Sequence, residues 1–202
     1  MPVDFDSRAK EWDNDPGRAA RANAVAEAIR AALPLNPAIA ALEYGCGTGL
    51  LSFALQPFLG PITLADSSLG MLSVLAAKIV AVGVANMTPL RLDLCSDPLP
   101  AARFDLIYTL MTLHHIQDTA IILSSFHALL NPGGHLCIAD LDKEDGSFHS
   151  HQPDFDGHNG FDRQALSKLL ARYGFTNVHF STCFKMVRNE QYYPLFLAVA
   201  QR

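Results

Sequence analysis

The chain lacks the features that would assign it to several common protein classes. Its four cysteines lie more than forty residues apart with no Cys-x-x-Cys pair, so we predict buried, reduced thiols and no structural zinc site. No apolar run approaches the roughly 18 residues that span a membrane, and no run of Lys and Arg suits a nucleic-acid backbone. The first residues are acidic and lack a signal-peptide pattern. We therefore expect a cytoplasmic protein that does not bind nucleic acid.

Apolar residues dominate what the chain does contain. Half of its 202 residues are apolar, 17% are charged, and the net charge is −5, which is typical of one well-buried domain. Arg18, Arg21 and Arg30 are the nearest approach to a basic cluster. Ala and Val fill the positions between them, so we expect these arginines on the wet face of an N-terminal helix over 18–33.

From residue 39 onward, short apolar segments alternate with helix-forming segments. Strands are predicted at 39–44, 62–66, 87–94, 104–109, 135–140, 177–187 and 195–200, and helices at 48–58, 69–82, 118–130 and 164–173. This alternation is typical of an α/β fold whose mainly parallel sheet is covered on both faces. A short turn at 189–191 joins the last two strands as a hairpin, which predicts one antiparallel strand.

The stretch 39–49 predicts a buried strand that breaks into a glycine turn and then a helix. Gly45, Gly47 and Gly49 alternate, and Glu43 precedes them. Glycines permit a tight turn and let a ligand approach the main chain. A dinucleotide-binding turn has the spacing Gly-x-Gly-x-x-Gly and holds a pyrophosphate. Here the spacing differs, and an acid facing the site would repel a diphosphate and attract a cation.

Ligands of such sheets lie across the carboxyl ends of the strands. The polar residues predicted at those ends are Glu43, Asp66, Asp93, Asp140 and the stretch 109–115. Asp66 follows Gly49 by seventeen residues, where a carboxylate can accept hydrogen bonds from a ribose diol. Acids at three successive strand ends favour a nucleoside that carries positive charge and no phosphate. S-adenosylmethionine fits that description.

Six short motifs combine with these acids. They are Glu43-Tyr44-Gly45-Cys46-Gly47-Thr48-Gly49, Asp66-Ser67-Ser68 with Met71, Leu92-Asp93-Leu94, Phe104-Asp105-Leu106-Ile107, His114-His115-Ile116 and Leu130-Asn131-Pro132-Gly133-Gly134. Together they resemble the class I S-adenosylmethionine-dependent methyltransferase family, and most nearly its small-molecule, ubiquinone-biosynthesis-like branch. The resemblance is strong over 35–142 and weak elsewhere, although Phe5–Asp13 is similar to a stretch that often precedes the core in this branch.

The resemblance implies a Rossmann-like, seven-stranded, mainly parallel sheet of order 3-2-1-4-5-7-6 with the last strand antiparallel. It also implies a cofactor-binding set. The residues of that set are Glu43, Tyr44, Gly45, Cys46, Gly47 and Gly49 for the methionine portion, Asp66 for the ribose, Ser67, Met71, Asp93 and the Leu94 backbone for the adenine, and Leu110 and Met111 near the sulfonium. His114 and His115 would lie on the acceptor side, as candidate general bases for a poorly ionised acceptor.

Residues 142–160 form a polar stretch without apolar periodicity, which favours a lid over the acceptor. Its candidate wall residues are Phe148, His151 and Phe155, and Trp12 is a further candidate from the N-terminal segment. The loop also contains His149, His151, Asp154, Asp156 and His158, which offer metal ligands. Alternating His and Asp residues are more typical of a solvated loop, so we assign no metal.

These observations predict a single-domain enzyme that transfers a methyl group to a small-molecule acceptor. Its expected segments are an N-terminal cap at 1–34, a cofactor-binding core at 35–142, a lid loop at 143–160 and a C-terminal helix and hairpin at 161–202. A non-catalytic S-adenosylmethionine-binding scaffold remains an alternative. A NAD-dependent oxidoreductase is disfavoured by the glycine spacing and by the lack of a Tyr-x-x-x-Lys pair.

Overall fold

The computed structural model describes residues 5–150, 152, 154–188 and 190–202, which form one seven-stranded sheet with helices on both faces. The strands are β1 (Ala41–Tyr44), β2 (Ile62–Asp66), β3 (Met87–Arg91), β4 (Phe104–Leu110), β5 (Leu130–Leu141), β6 (Thr176–Arg188) and β7 (Gln191–Gln201). The helices are α1 (Phe5–Arg8), α2 (Pro16–Ala32), α3 (Leu50–Leu55), α4 (Leu69–Val82), α5 (Thr119–Leu129) and α6 (Arg163–Arg172).

The strand order is β3-β2-β1-β4-β5-β7-β6. Strands β1 to β5 pair in parallel, and β7 pairs antiparallel with both β5 and β6. The predicted fold class and strand order are confirmed. Because the parallel strands run the same way, their carboxyl ends meet at one edge of the sheet.

Two apolar layers enclose the sheet. On one face, Phe126 of α5 and Leu170 of α6 pack with Phe196 of β7. On the other face, Ile29 of α2 and Leu75 of α4 pack in a second cluster of buried residues. Burial on both faces explains why the central strands read as continuous apolar runs.

Short polar side chains start most of the longer helices. Asp15 accepts from the Gly17 N–H, Ser68 from Met71, Asp118 from Ala120 and Ile121, and Asp162 from Ala165. These side chains satisfy backbone donors that have no partner within the helix. α2 therefore begins at Pro16, which lies directly after its cap and earlier than predicted.

Several predicted strand ends differ from the observed ones. β3 ends at Arg91, because the Asp97 carboxylate accepts from the Asp93 N–H and turns the chain. β5 begins at Leu130, and its Asn-Pro-Gly-Gly segment stays in the sheet because the Gly133 N–H donates to Arg202. Both corrections depend on contacts that a local pattern does not contain.

In the described parts of the chain, no helix is long and apolar enough to cross a bilayer. Cys46 and Cys137 are buried and Cys183 is half-buried, as predicted, but Cys95 is exposed. The four thiols form no disulfide.

Candidate active site

A cleft of about 1310 Å³ opens at the carboxyl edge of the parallel strands. Its walls come from the glycine turn, the ends of β2 and β4, the N-terminal segment, the loop after β5 and the end of β6. The predicted residues that line it are Trp12, Glu43, Tyr44, Gly45, Cys46, Gly47, Asp66, Ser67, Met71, Asp93, Leu110, Met111, His114, His115, Phe148 and Phe155. Gly49 and Leu94 do not line it, and His151 lies outside the described residues.

The glycine turn follows β1 with φ angles of 70° at Gly45, 51° at Gly47 and 81° at Gly49. These left-handed conformations favour glycine. A Cβ at Gly45 would overlap the Thr112 side chain, and one at Gly49 would lie 2.6 Å from Leu75 Cδ1. A Cβ at Gly47 would approach its nearest neighbours only to 3.9 Å. Gly45 and Gly49 therefore allow close packing, whereas at Gly47 the φ angle, and not a steric overlap, favours glycine.

Glu43 is only 2% exposed. Its carboxyl group accepts a hydrogen bond from the Ser52 hydroxyl, which lies 2.6 Å from the Tyr108 hydroxyl. Burial, with a smaller contribution from the nearby Asp66, raises the pKa of Glu43 to about 8, although Ser52 and Lys78 oppose the shift. The Glu43 carboxyl group is therefore mostly protonated at neutral pH, when no cation stabilises its ionised form.

Asp66 ends β2 and contacts the glycine turn directly. Its Oδ2 accepts from the Gly47 N–H at 2.7 Å, and its Oδ1 accepts from the Ser68 N–H at 2.9 Å. Burial raises the pKa of Asp66, although these backbone donors oppose the shift. Each carboxylate oxygen has a second lone pair, so the group that holds the turn retains acceptor capacity.

Asp93 folds the loop that follows β3. Its carboxylate accepts from the Cys95 N–H and from the Ser96 hydroxyl, each at 2.9 Å. The Leu94 N–H donates to the Tyr44 hydroxyl at 3.1 Å, and the Leu94 side chain is buried in the core. Leu94 does not line the cleft, whereas the exposed Cys95 does.

His114 and His115 lie in a short 3-10 turn after β4. His114 Nδ1 is 2.6 Å from Oδ1 of Asp140, a residue of β5 that is fully buried. Burial alone would raise the pKa of Asp140, but His114 and two backbone donors hold it below its usual range. Burial and the neighbouring His114 lower the pKa of His115 to about 3, so this imidazole is neutral at physiological pH.

Met111 has a φ of 56°, which is unusual for a residue with a side chain. Its N–H donates to the Ala139 carbonyl at 2.9 Å, so β5 holds the strained residue in place. Strain of this kind concentrates at functional sites. No sequence pattern indicated it.

The N-terminal segment closes one side of the cleft. Asp6 Oδ1 accepts from the Ser68 hydroxyl at 2.5 Å and from the Gly70 N–H at 2.7 Å. Asp13 accepts from the Thr48 hydroxyl at 2.5 Å and pairs with Lys78 at 2.6 Å. Trp12 lies between these two contacts in sequence and packs edge-on against Phe5. The segment is thus held against the glycine turn and the start of α4.

The loop after β5 covers the histidine end of the cleft. A 3-10 turn at Ser147–His149 buries His149, whose ring stacks on Phe155 with centroids 3.7 Å apart. The His158 N–H donates to the His114 carbonyl at 2.7 Å. Phe148 packs against Tyr193 and receives a hydrogen bond on its carbonyl from Arg188. The loop is therefore docked on the sheet edge.

Arg21 is not on the wet face of α2, contrary to the prediction. Its guanidinium lies 2.9 Å from the Met186 sulfur of β6 and lines the cleft. Burial lowers its pKa, and its Nε has no hydrogen-bond partner among the described residues. The contact joins residues 165 positions apart, so helix periodicity cannot reveal it.

The contacts of the N-terminal segment give a direct prediction. Replacing Asp13 with Asn removes the charge that pairs with Lys78 and weakens the bond to Thr48. We expect amide hydrogen exchange of residues 5–14 to rise several-fold, with the thermal midpoint of the whole chain lowered only slightly, because exposed ion pairs contribute little to global stability. Hydrogen exchange with mass spectrometry measures the effect.

Asp97→Asn is the matched control, because it removes an ion pair with Arg91 on another loop. Its exchange over residues 5–14 should equal that of the wild type. Unchanged exchange in Asp13→Asn would show that this side chain does not hold the segment.

Comparison with known proteins agrees with the geometry. A family profile described as a methyltransferase domain matches residues 18–180. The chain is 29% identical over 150 residues to an uncharacterised methyltransferase of Schizosaccharomyces pombe, covering 67% of this chain and 53% of the relative. It is 31% identical over 111 residues to a ubiquinone biosynthesis O-methyltransferase of Marinobacter nauticus, covering 54% and 46%. The chain thus spans about half the length of these relatives.

A solved structure gives the same fold. The chain superposes on a SAM-dependent methyltransferase of Aquifex aeolicus with a TM-score of 0.72 and 20% identity, covering 97% of each chain. This chain belongs to the methyltransferase domain family, and its architecture is that of the class I S-adenosylmethionine-dependent enzymes.

Proposed function

We propose that the chain transfers a methyl group from S-adenosylmethionine to a small-molecule acceptor. The observation that carries the proposal is a pair of carboxyl groups, the buried Glu43 and the half-buried Asp66, on either side of a glycine turn. Two acids there suit a ligand that has a cationic end and a diol and has no phosphate. Family membership supports the same conclusion.

The residues around the turn fit this cofactor. Gly47 lines the cleft without a side chain, so a ligand can approach its main chain. Glu43 would face the cationic methionine portion, and the remaining lone pairs of Asp66 would accept from the ribose hydroxyls. Ser67, Met71 and Asp93 would flank the adenine, and Cys95 would replace Leu94 in that wall. Leu110 and Met111 would lie near the sulfonium.

When bound, S-adenosylmethionine supplies an already activated methyl group. The protein therefore has to align an acceptor with that group and exclude water, and positioning of this kind can contribute up to roughly 7–11 kcal/mol in ideal cases. Residues 5–34 would cap the cofactor side, and residues 143–160 would serve as a lid on the acceptor side, as part of a single domain. Trp12, Phe148 and Phe155 supply apolar walls that reduce access of water.

The acceptor would occupy the end of the cleft that His114 and His115 line. The half-buried Arg21 lines the cleft, and its buried Nε lacks a hydrogen-bond partner among the described residues. An unsatisfied buried donor of a charged group is costly unless a ligand satisfies it. We infer that the acceptor carries an anionic group, such as a carboxylate or phosphate, that pairs with Arg21.

Ligand binding separates the proposal from an oxidoreductase. S-adenosylhomocysteine at about 100 times its dissociation constant should stabilise the fold by about 2.7 kcal/mol, and NAD should have no effect. Asp66→Ala should weaken S-adenosylhomocysteine binding about 10- to 100-fold, because a carboxylate contributes about 1.5–3 kcal/mol per hydrogen bond. Thermal shift and calorimetry measure both effects.

Asp105→Ala, which changes a carboxylate at the opposite end of β4, is the control and should bind like the wild type. Stabilisation by NAD alone would exclude the methyltransferase proposal. Full affinity in Asp66→Ala would remove Asp66 from the ribose site.

The raised pKa of Glu43 predicts that cofactor binding depends on pH. A cation beside Glu43 favours its ionised form, so binding should release a proton below the pKa of about 8. The affinity for S-adenosylmethionine should then rise up to about tenfold per pH unit from pH 6 and level off near pH 8. Calorimetry in buffers of different ionisation enthalpy measures the number of protons released on binding.

Glu43→Gln should lose most of this pH dependence, because an amide of the same shape does not titrate. A wild-type affinity that does not change between pH 6 and pH 8 would contradict the assignment of Glu43 to the cationic end.

An acceptor screen separates an enzyme from a non-catalytic scaffold. Release of S-adenosylhomocysteine should depend on the acceptor, and anionic small molecules should be preferred over neutral analogues. Arg21→Gln should raise KM for such an acceptor about tenfold or more with a smaller change in kcat, because it removes a binding contact. Arg172→Gln, on the exposed end of α6, is the control. Equal KM values in the two variants would contradict the role of Arg21.

A further inference from the structure

Three histidines meet at the covered end of the cleft. His114 and His115 come from the turn after β4, and His149 comes from the 3-10 turn in the loop after β5. One ring nitrogen of each lies within 4.8 Å of those of the other two. All three line the cleft, and His114 and His149 are buried. The residues that the structure describes contain no other such group of histidines, cysteines and acids.

The environment of His114 is the one that proteins use to orient a metal ligand. Its Nδ1 faces the buried Asp140 carboxylate at 2.6 Å, and Asp140 also accepts from the backbone of His114 and Leu141. A carboxylate that accepts from Nδ1–H leaves the lone pair on Nε2. Nε2 of His114 is buried and has no hydrogen-bond partner within the described ranges. A buried acceptor without a hydrogen-bond partner destabilises the fold by about 1–3 kcal/mol, and a bound cation would offset this penalty.

Contacts with neighbouring aromatic rings hold His149 and His115 in place. Phe155 stacks on the His149 ring at an interplanar angle of 7°. Phe5 and Phe155 contact the His115 ring edge-on, with centroids 5.4 and 5.6 Å away. The hydrogen bond from His158 N–H to the His114 carbonyl ties the loop to the turn. An apolar shell around converging imidazoles limits the access of water and fixes ring orientation.

The donor set indicates the class of metal. Imidazole nitrogen suits Zn²⁺, Cu²⁺, Fe²⁺ and Ni²⁺, whereas Mg²⁺ and Ca²⁺ prefer oxygen. Three protein ligands with an open fourth position are typical of catalytic zinc. Zn–N bonds of about 2.0–2.1 Å in a tetrahedron require nitrogens about 3.4 Å apart, so the rings need to turn inward only modestly.

We propose that His114, His115 and His149 form a binding site for a divalent transition metal, with Zn²⁺ the first candidate, whose open position faces the cleft. This site differs from the metal alternative considered for the loop, because it shares only His149 with that set. No sequence pattern joins residues 114 and 149, so the sequence does not indicate this group.

The site would also define the acceptor, and this step rests on the proposed methyl transfer. A metal lowers the pKa of a coordinated hydroxyl or thiol. The proton of that group leaves to water, and its oxygen or sulfur lone pair forms a bond to the methyl carbon. The carbon–sulfonium bond breaks with its electron pair to sulfur, giving S-adenosylhomocysteine. The acceptor class is then a small anionic molecule with a hydroxyl or thiol group.

The test titrates Co²⁺ alone into the full chain, freed of any histidine tag and of cofactor. We expect the visible bands of low-coordinate Co²⁺ to saturate at one ion per chain and to disappear when Zn²⁺ displaces it. Absence of saturable bands, together with no binding of Zn²⁺ by calorimetry, would overturn the proposal.

Variants locate the ion. His149→Ala and His115→Ala should each weaken metal binding about 100-fold or more, and Asp140→Asn should weaken it about 10- to 100-fold by misorienting His114. His179→Ala, an exposed histidine on β6, is the matched control and should bind like the wild type. If His149→Ala retains its fold by circular dichroism and still binds Co²⁺ like His179→Ala, the ion lies elsewhere and the proposal is wrong.

The same preparations distinguish failure of this proposal from failure of the proposed function. Stabilisation of the metal-free wild type by S-adenosylhomocysteine tests the cofactor site without any metal. If S-adenosylhomocysteine does not stabilise the metal-free wild type, the result contradicts the proposed methyl transfer. The metal titration tests the metal site independently of that result.

Discussion

Three carboxyl groups at the carboxyl ends of parallel strands, two of them fully buried, are the constraint on which the rest of the site depends. Glu43 stays largely protonated, Asp66 holds the glycine turn through backbone N–H groups, and Asp140 pairs with His114. The three carboxyl groups therefore differ in their local chemistry, although they share one edge of the sheet. The parallel topology brings them together, because the carboxyl ends of β1, β2 and β5 open on the same side.

Much of the fold could be predicted because it depends on local patterns. The bounds of β2 and α4 agree with the predicted 62–66 and 69–82, since apolar periodicity and the Ser68 cap define them within the segment itself. The strand order followed from the family resemblance, and the hairpin was visible as a short polar turn. Strand ends were wrong where distant residues determine them, as at Leu130 and Arg91.

The cofactor side was more predictable than the acceptor side for the same reason. Its residues follow strand ends at short, readable spacings, and nearly all of those predicted line the cleft. Leu94 does not line the cleft, and its N–H donates to the Tyr44 hydroxyl, a contact across 50 positions. Arg21 was expected on a wet helix face and His149 in a solvated loop, because their partners come from the hairpin and from the turn after β4. Only tertiary contacts place these two side chains in the cleft.

The contact between the glycine turn and the turn after β4 has a mechanical consequence. Gly45 lies so close to Thr112 that a single added carbon atom would overlap that side chain, and the Thr112 hydroxyl donates to the Gly45 carbonyl at 3.3 Å. His114 follows Thr112 by two residues, within the same short turn. Neither turn can therefore shift without displacing the other. The two turns therefore hold each other in position at the base of the cleft.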